Sequence, residues 1–158
     1  GHGDLDGRVD LQVGLGPRQR QIDHRVGAFG DDGLPGRRWA VNRRTVRTVP
    51  GLFAANERVI VWCENDGGRF AVVLVGALNV ASISLAWSGE VPPAGQVVRT
   101  RLTRADPALN LPAGGLLGQF NLGSTVVIVA ERGLIQWDDN LQTGVPVRMG
   151  ARLGQSRD

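Results

Sequence analysis

The residues best suited to chemistry in this 158-residue chain are Gly123 and Ser124, which precede Thr125 and the apolar run 126–129. Glycine has no Cβ, so the peptide link between Gly123 and Ser124 can be twisted and closely approached. The Ser124 hydroxyl then lies within reach of the Gly123 carbonyl carbon. An attack there would move the acyl group from nitrogen to oxygen and leave an ester in the backbone.

Such an ester could give the chain a carbonyl group of its own. Elimination across the Cα–Cβ bond of Ser124 would break the ester and leave a dehydroalanine, which hydrolyses to a pyruvoyl group. A pyruvoyl ketone forms a Schiff base with an amine and accepts the electrons left when CO2 departs. Taken alone, however, a Gly-Ser-Thr tripeptide is more often an ordinary loop that opens a buried strand, so the surrounding sequence has to decide.

The surrounding sequence resembles the phosphatidylserine decarboxylase family in stretches that occur in the same order. They are 49–59 (VPGLFAANERV), 74–77 (LVGA) continuing to Ile83 and 87–89, 118–126 (GQFNLGSTV) and 147–150 (VRMG). The likeness extends from about residue 39 to residue 153. It implies that Gly123–Ser124 is the self-cleavage site and that Ser124 is the catalytic residue and the source of a pyruvoyl cofactor. We interpret the chain as a truncated or amino-terminally divergent member of this family.

The resemblance also implies what such an enzyme does. Cleavage of the proenzyme would give a large chain, 1–123, and a small chain, 124–158, which stay together. The family converts phosphatidylserine to phosphatidylethanolamine and CO2, so it is a lyase of phospholipid biosynthesis. The implied partners are a phospholipid substrate and a membrane surface, with a peripheral location on the cytoplasmic face of the cell membrane. No metal ligands are expected.

The composition narrows the chemistry further. All 18 basic residues are arginine, which rules out a lysine Schiff base, so any carbonyl must come from the protein and the amine from the substrate. The net charge of +3 fits either an anionic phospholipid surface or an ordinary surface of mixed sign. No basic run interleaved with aromatic residues indicates nucleic acid.

Residues 1–38 differ in composition from the rest, with 9 glycines and 12 charged residues. We therefore predict that this segment is disordered or not homologous to the family, and that residues 39–158 form one β domain. In the family a His-Arg-Val-His segment is thought to supply the base for cleavage. Here the second histidine position is Gly27, and the distance from His24 to Val41 is shorter than in the family. We interpret His24 as a chance match and leave the base unassigned.

Short apolar segments separated by glycine turns predict a mainly β fold, a compact barrel or sandwich with few short helices. Residues 65–68 predict a hairpin turn, and the alternation at 82–85 predicts a half-buried strand. The resemblance implies a relation to the barrel-sandwich hybrids of lipoyl-type domains. Residues 70–87 carry no charge, but polar interruptions favour two strands over a membrane span. The apolar run 125–130 predicts a central strand paired on both sides, 145–149 a last strand, and 155–158 a frayed end.

Two other interpretations stay open at this point. The chain could be an inactive fragment or a non-catalytic β-barrel scaffold of the same fold, although the absence of lysine weighs against a lipoyl or biotinyl carrier. It could also be a pyruvoyl enzyme for a soluble amino acid. The matches at 56–58 and 76–87 favour the lipid enzyme.

Overall fold

The computed structural model describes residues 9–13, 19–27, 40–65, 67–77, 83–91, 98–103, 115–120, 125–148 and 150–156. Two short helices lie among them, α1 (Arg43–Thr48) and α2 (Leu52–Ala55). The strands are β1 (Val9–Val13), β2 (Gln19–Gly27), β3 (Arg58–Asn65), β4 (Gly68–Val75), β5 (Ile83–Leu85), β6 (Gly89–Glu90), β7 (Val98–Thr103), β8 (Gly115–Phe120), β9 (Thr125–Ala130), β10 (Ile135–Trp137) and β11 (Gly154–Ser156).

The strands form antiparallel sheets, which confirms the prediction of a mainly β fold with few short helices. One sheet has the strand order β7-β2-β3-β4-β9, and a second has the order β1-β8-β5-β6. Strands β10 and β11 form a separate pair. Within the described residues the sheets do not close into a barrel. The architecture is therefore the sandwich alternative of the prediction.

An apolar core formed by described residues of both sheets lies between them. Strands β3 and β4 each contribute alternate residues, as expected when one face of a strand is buried. Phe120 and Leu117 of β8 are completely buried and belong to the same cluster. The other buried members are Val59, Val61, Cys63, Val72, Leu74, Ile83, Leu85 and Val91. The core thus joins β3 and β4 to β5 and β8.

The second sheet needs a glycine where β8 passes β5. Gly118 pairs with Leu85, and a Cβ at Gly118 would lie 2.7 Å from the carbonyl oxygen of Ser84. Any larger residue would push the two strands apart. Gly118 therefore lets β8, whose last residue is Phe120, pack tightly against its neighbour.

Two local predictions are confirmed. The turn expected at 65–68 joins β3 to β4, with Asn65 paired to Gly68, and the φ of +146° at Gly68 is one that favours glycine. The charge-free run 70–87 includes most of β4 and all of β5 as separate strands, and Ile83 and Leu85 are buried whereas Ser84 is half-buried. No helix in the described part of the chain is long and apolar enough to cross a membrane.

The helices begin at identifiable caps. The Asn42 side chain accepts hydrogen bonds from the backbone amides of Arg44 and Thr45, both at 3.0 Å. The Thr45 hydroxyl accepts in return from the backbone amide of Asn42 at 3.2 Å, which completes a capping box. Gly51, with φ of +64°, is the N-cap residue of α2. This short helix leads directly into β3.

The predicted central position of the apolar strand 125–130 is wrong. Strand β9 lies at the end of the five-stranded sheet and pairs with β4. Val126 packs against the core, but Val129 is 55% exposed. An unbroken apolar run is typical of strands covered on both faces, but it does not determine whether a strand has a neighbour on one edge or on both.

The predicted strand at 145–149 is also wrong for its described residues, 145–148. These residues are exposed and lie outside any strand, between turns at Gly144 and Gly150, whose φ values are +87° and +80°. The last strand is β11, which pairs with β10, so the frayed end expected from residue 155 is wrong for 155–156. Apolar residues at 145 and 147 do not form a strand here, because both are exposed and neither packs into the core.

Strands β1 and β2 lie within the segment 1–38, for which the composition predicts disorder. Strand β2 pairs with β3 on one side and with β7 on the other. Pairing on both sides satisfies the backbone groups of a strand whatever its composition. The two strands thus lie inside the segment, and the division into a disordered or non-homologous segment 1–38 and a β domain 39–158 stays a prediction.

Cys63 provides a test of the core. Its side chain is 1% exposed, and burial raises the pKa of its thiol from 9.0 to about 12. Because the thiolate is the reactive form, we predict that Cys63 resists alkylation at pH 8 until the domain unfolds. The raised pKa favours the folded state below pH 9.0, and this contribution is lost as the pH rises toward about 12.

Mass spectrometry after alkylation, with and without denaturant, measures this protection. The denatured chain should be labelled within minutes under conditions that leave the folded chain unlabelled. Equal labelling of the folded and denatured chains at pH 8 would contradict the buried position of Cys63.

Candidate functional site

The predicted cleavage junction, Gly123–Ser124, lies outside the described residues, but both of its flanks are described. Phe120 ends β8 in the four-stranded sheet, and Thr125 begins β9 in the five-stranded sheet. The segment 121–124 therefore connects the two sheets. A chain of this length spans at most about 18 Å between the Cα atoms of Phe120 and Thr125, so the two strand ends must lie near one another.

Both flanks are held by neighbouring strands. On the amino-terminal flank, Phe120 is completely buried and is paired with Ile83 of β5 and with Val9 of β1. On the carboxyl-terminal flank, Thr125 is paired with Val75, the last residue of β4. The backbone on either side of the junction is thus fixed in two different sheets that share one core.

Residues paired side by side across neighbouring strands form a row, and the row that contains Thr125 also contains the first residue of β3. Arg58 pairs with Val75, and Val75 pairs with Thr125. These three residues lie at the same end of the five-stranded sheet, and Thr125 directly follows Ser124 in sequence. The opposite end of the sheet carries the corresponding row Cys63, Phe70 and Ala130.

Two of the stretches that resemble the family meet at this end of the sheet. The Asn56 side-chain amide donates a hydrogen bond to the Gly76 carbonyl at 2.8 Å. The Gly76 backbone amide donates in turn to the Glu57 carbonyl at 2.8 Å. A Cβ at Gly76 would lie 3.3 Å from that same carbonyl oxygen. The structure therefore brings 49–59 and 74–77 together beside the strand that follows Ser124.

Arg58 links the same end of the sheet to helix α2. Its side chain is 8% exposed and donates hydrogen bonds to the carbonyl oxygens of Ala54 and Asn56. Burial lowers the pKa of its guanidinium, and the two carbonyl oxygens supply partial negative charge beside it. Arg58 thereby satisfies carbonyl groups at the carboxyl end of α2.

The remaining residues singled out in the sequence lie elsewhere. His24 is in β2, where it pairs with Val61 and Thr100, and its interpretation as a chance match stays a prediction. Val147 and Arg148 are exposed and lie between β10 and β11. Among the described residues, no group of His, Cys, Asp and Glu side chains could hold a metal ion.

Sequence reasoning missed the buried polar residues of the site. Asn56 and Arg58 were noted for their family resemblance, but no role was assigned to them. No local signal marks their burial, because asparagine and arginine are mostly exposed in proteins. Strand β8, which leads to the junction, was also missed.

The fold and the site define a mainly β domain in which a four-residue segment containing Gly-Ser joins two packed sheets. A family model described as phosphatidylserine decarboxylase matches residues 29–155. The chain belongs to the phosphatidylserine decarboxylase family, which confirms the family predicted from the sequence.

Individual relatives agree with the family model. The chain is similar to the phosphatidylserine decarboxylase proenzyme of Nitrosococcus oceani, with 42% identity over 77% of this chain and 40% of that protein. The proenzyme of Azotobacter vinelandii is 43% identical over 78% of this chain and 44% of its own length. The proenzyme of Methylococcus capsulatus is 41% identical over 78% of this chain and 43% of its own length. The chain thus spans about two fifths of the length of the curated relatives it matches.

Proposed function

We propose that the chain is a self-cleaving, pyruvoyl-dependent decarboxylase that converts phosphatidylserine to phosphatidylethanolamine and CO2. The observation that carries the proposal is the family match over residues 29–155, which includes Gly123 and Ser124. The relatives are named as proenzymes, which fits a chain that is processed before it acts. Ser124 is the proposed catalytic residue.

The cleavage reaction uses groups of this chain alone. The Ser124 oxygen bonds to the Gly123 carbonyl carbon as the C–N bond breaks, and the hydroxyl proton passes to the released nitrogen. Loss of the Ser124 Cα proton then expels the Gly123 carboxylate from Cβ. Addition of water and loss of ammonia leave the keto group at residue 124, which supplies an electron sink for decarboxylation of an amine substrate.

Two features of the chain, its composition and the pairing of β9, support a keto group made from Ser124. The chain contains no lysine that could compete for such a carbonyl. Strand β9 is paired with β4 along the whole length from Thr125 to Ala130. Because backbone pairing does not depend on the covalent link at residue 123, this ladder would hold the small chain, 124–158, on the large chain, 1–123, after cleavage.

We further propose that the substrate is reached at a membrane surface, with the protein bound peripherally on the cytoplasmic face of the cell membrane. The net charge of +3 supports attraction to anionic phospholipid. Exposed apolar residues of the described surface, such as Trp62 and Trp137 at 49% and 43%, suit contact with the interfacial region of a bilayer.

Decarboxylation of defined substrates tests the proposal. The purified chain should release CO2 from phosphatidylserine vesicles and not from free serine, and prior reduction with borohydride should abolish this activity by removing the ketone. Release from free serine alone would favour a soluble amino acid decarboxylase. A chain without a reducible ketone and without activity would be the inactive scaffold instead.

A further inference from the structure

Asn56 is a polar side chain in a place where polar side chains are rare. It is 0% exposed, and a buried amide is retained only when its hydrogen bonds are satisfied. Its Nδ2 donates to the Gly76 carbonyl at 2.8 Å across a separation of 20 residues. The contact therefore ties the segment before β3 to the segment after β4.

Hydrogen bonds of the Asn56 backbone fix the residue in place. The Asn56 amide donates to the Leu52 carbonyl of α2 at 3.0 Å, and the Asn56 carbonyl accepts from Arg58 at 3.0 Å. Both groups of the Asn56 backbone are thus engaged before the side chain meets Gly76. A donor anchored in this way fixes the position of the carbonyl that it binds.

Gly76 directly follows Val75, the last residue of β4, whose partner in β9 lies next to the cleavage junction. Val75 pairs with Thr125, and Thr125 follows Ser124 directly. We propose that Asn56 is a positioning residue for self-cleavage, holding the Val75–Thr125 pair so that residue 124 is attached to a fixed point. This role in cleavage rests on the proposed function, whereas the effect on the Val75–Thr125 pair does not.

Hydrogen–deuterium exchange of the full chain tests the effect on the strand end. In Asn56→Ala, segments 75–77 and 125–127 should exchange about tenfold faster, because the end of the β4–β9 pair loses its support. Exchange near Phe70 and Ala130, at the other end of the same pair, should stay as in the parent. Equal acceleration at both ends, or none at 75–77 and 125–127, would overturn the proposal.

Cys63→Ala is a matched control. Cys63 is as buried as Asn56 and lies in β3, the strand that follows Asn56, but it belongs to the row with Phe70 and Ala130 at the far end of the sheet. Its replacement should accelerate exchange near Phe70 and Ala130 and leave 75–77 and 125–127 unchanged. Asn56→Asp keeps the shape of the side chain but removes the N–H donors, and it should behave as Asn56→Ala does. Behaviour of Asn56→Asp like the parent would show that packing, not donation to Gly76, is what matters.

The cleavage rate separates this inference from the proposed function. Among variants with the same melting temperature, Asn56→Ala should cleave about tenfold more slowly than Cys63→Ala. If both variants cleave equally, the positioning role is lost while the proposed function stands. If the parent chain does not cleave at all, the proposed function fails, and the exchange measurement still decides whether Asn56 holds the strand end.

Discussion

Replacing Ser124 with alanine is expected to abolish self-cleavage and leave one chain close to 16.9 kDa. The variant keeps the glycine and the backbone of the junction but has no oxygen to attack the Gly123 carbonyl. Loss of a nucleophile for which no other group substitutes lowers the rate at least about 10³-fold. Denaturing electrophoresis and intact-mass analysis over several days of incubation measure the effect.

Ser88→Ala is the control for this experiment. Ser88 is an exposed serine in a turn beside β6, so its replacement should leave the extent of cleavage unchanged. A Ser124→Ala protein that splits at residue 123 as the parent does would contradict the role of Ser124. Protection of both variants would point to a general loss of folding, which thermal melting would reveal.

Replacing Phe120 with alanine is expected to have the largest effect on stability. The side chain is completely buried and lies in the core shared by the two sheets. Truncation of a buried phenylalanine leaves a cavity and costs about 3–5 kcal/mol of unfolding free energy, which is a large share of the about 5–15 kcal/mol typical of a domain. Urea denaturation of the parent and the variant measures the loss.

Leu116→Ala provides the comparison on the same strand. Leu116 is 38% exposed, so its replacement should cost less than about 1 kcal/mol. Because Phe120 is the buried last residue of β8 and lies three residues before Gly123, we expect cleavage to slow in Phe120→Ala but not in Leu116→Ala. Equal losses of stability in the two variants would mean that Phe120 does not occupy the core.

Much of the fold could be predicted from local sequence, but the neighbours of each strand could not. The turn at 65–68 and the alternation at 83–85 are local signals, and the structure confirms both. The apolar run of β9 predicted a central strand, yet β9 lies at a sheet end. Which strands lie side by side depends on pairing between distant segments, and a period of two residues carries no information about that.

Part of the candidate site could likewise be predicted from local sequence, and part could not. The Gly123–Ser124 junction could be proposed from its residue types and its family resemblance, because the chemistry needs only adjacent atoms. The contact between Asn56 and Gly76 joins the segment before β3 to the segment after β4, 20 residues apart, so no local pattern predicts it. Burial of Arg58 was equally hidden, since a single arginine in the sequence is expected to be exposed.

Intact-mass analysis of the purified chain tests the central claim most directly. The account predicts two chains, 1–123 and 124–158, with the smaller one lighter than a serine-ended chain by the mass of one ammonia and reactive toward hydroxylamine. A single uncleaved chain of 16.9 kDa, or a small chain that begins with a free serine amine, would contradict it.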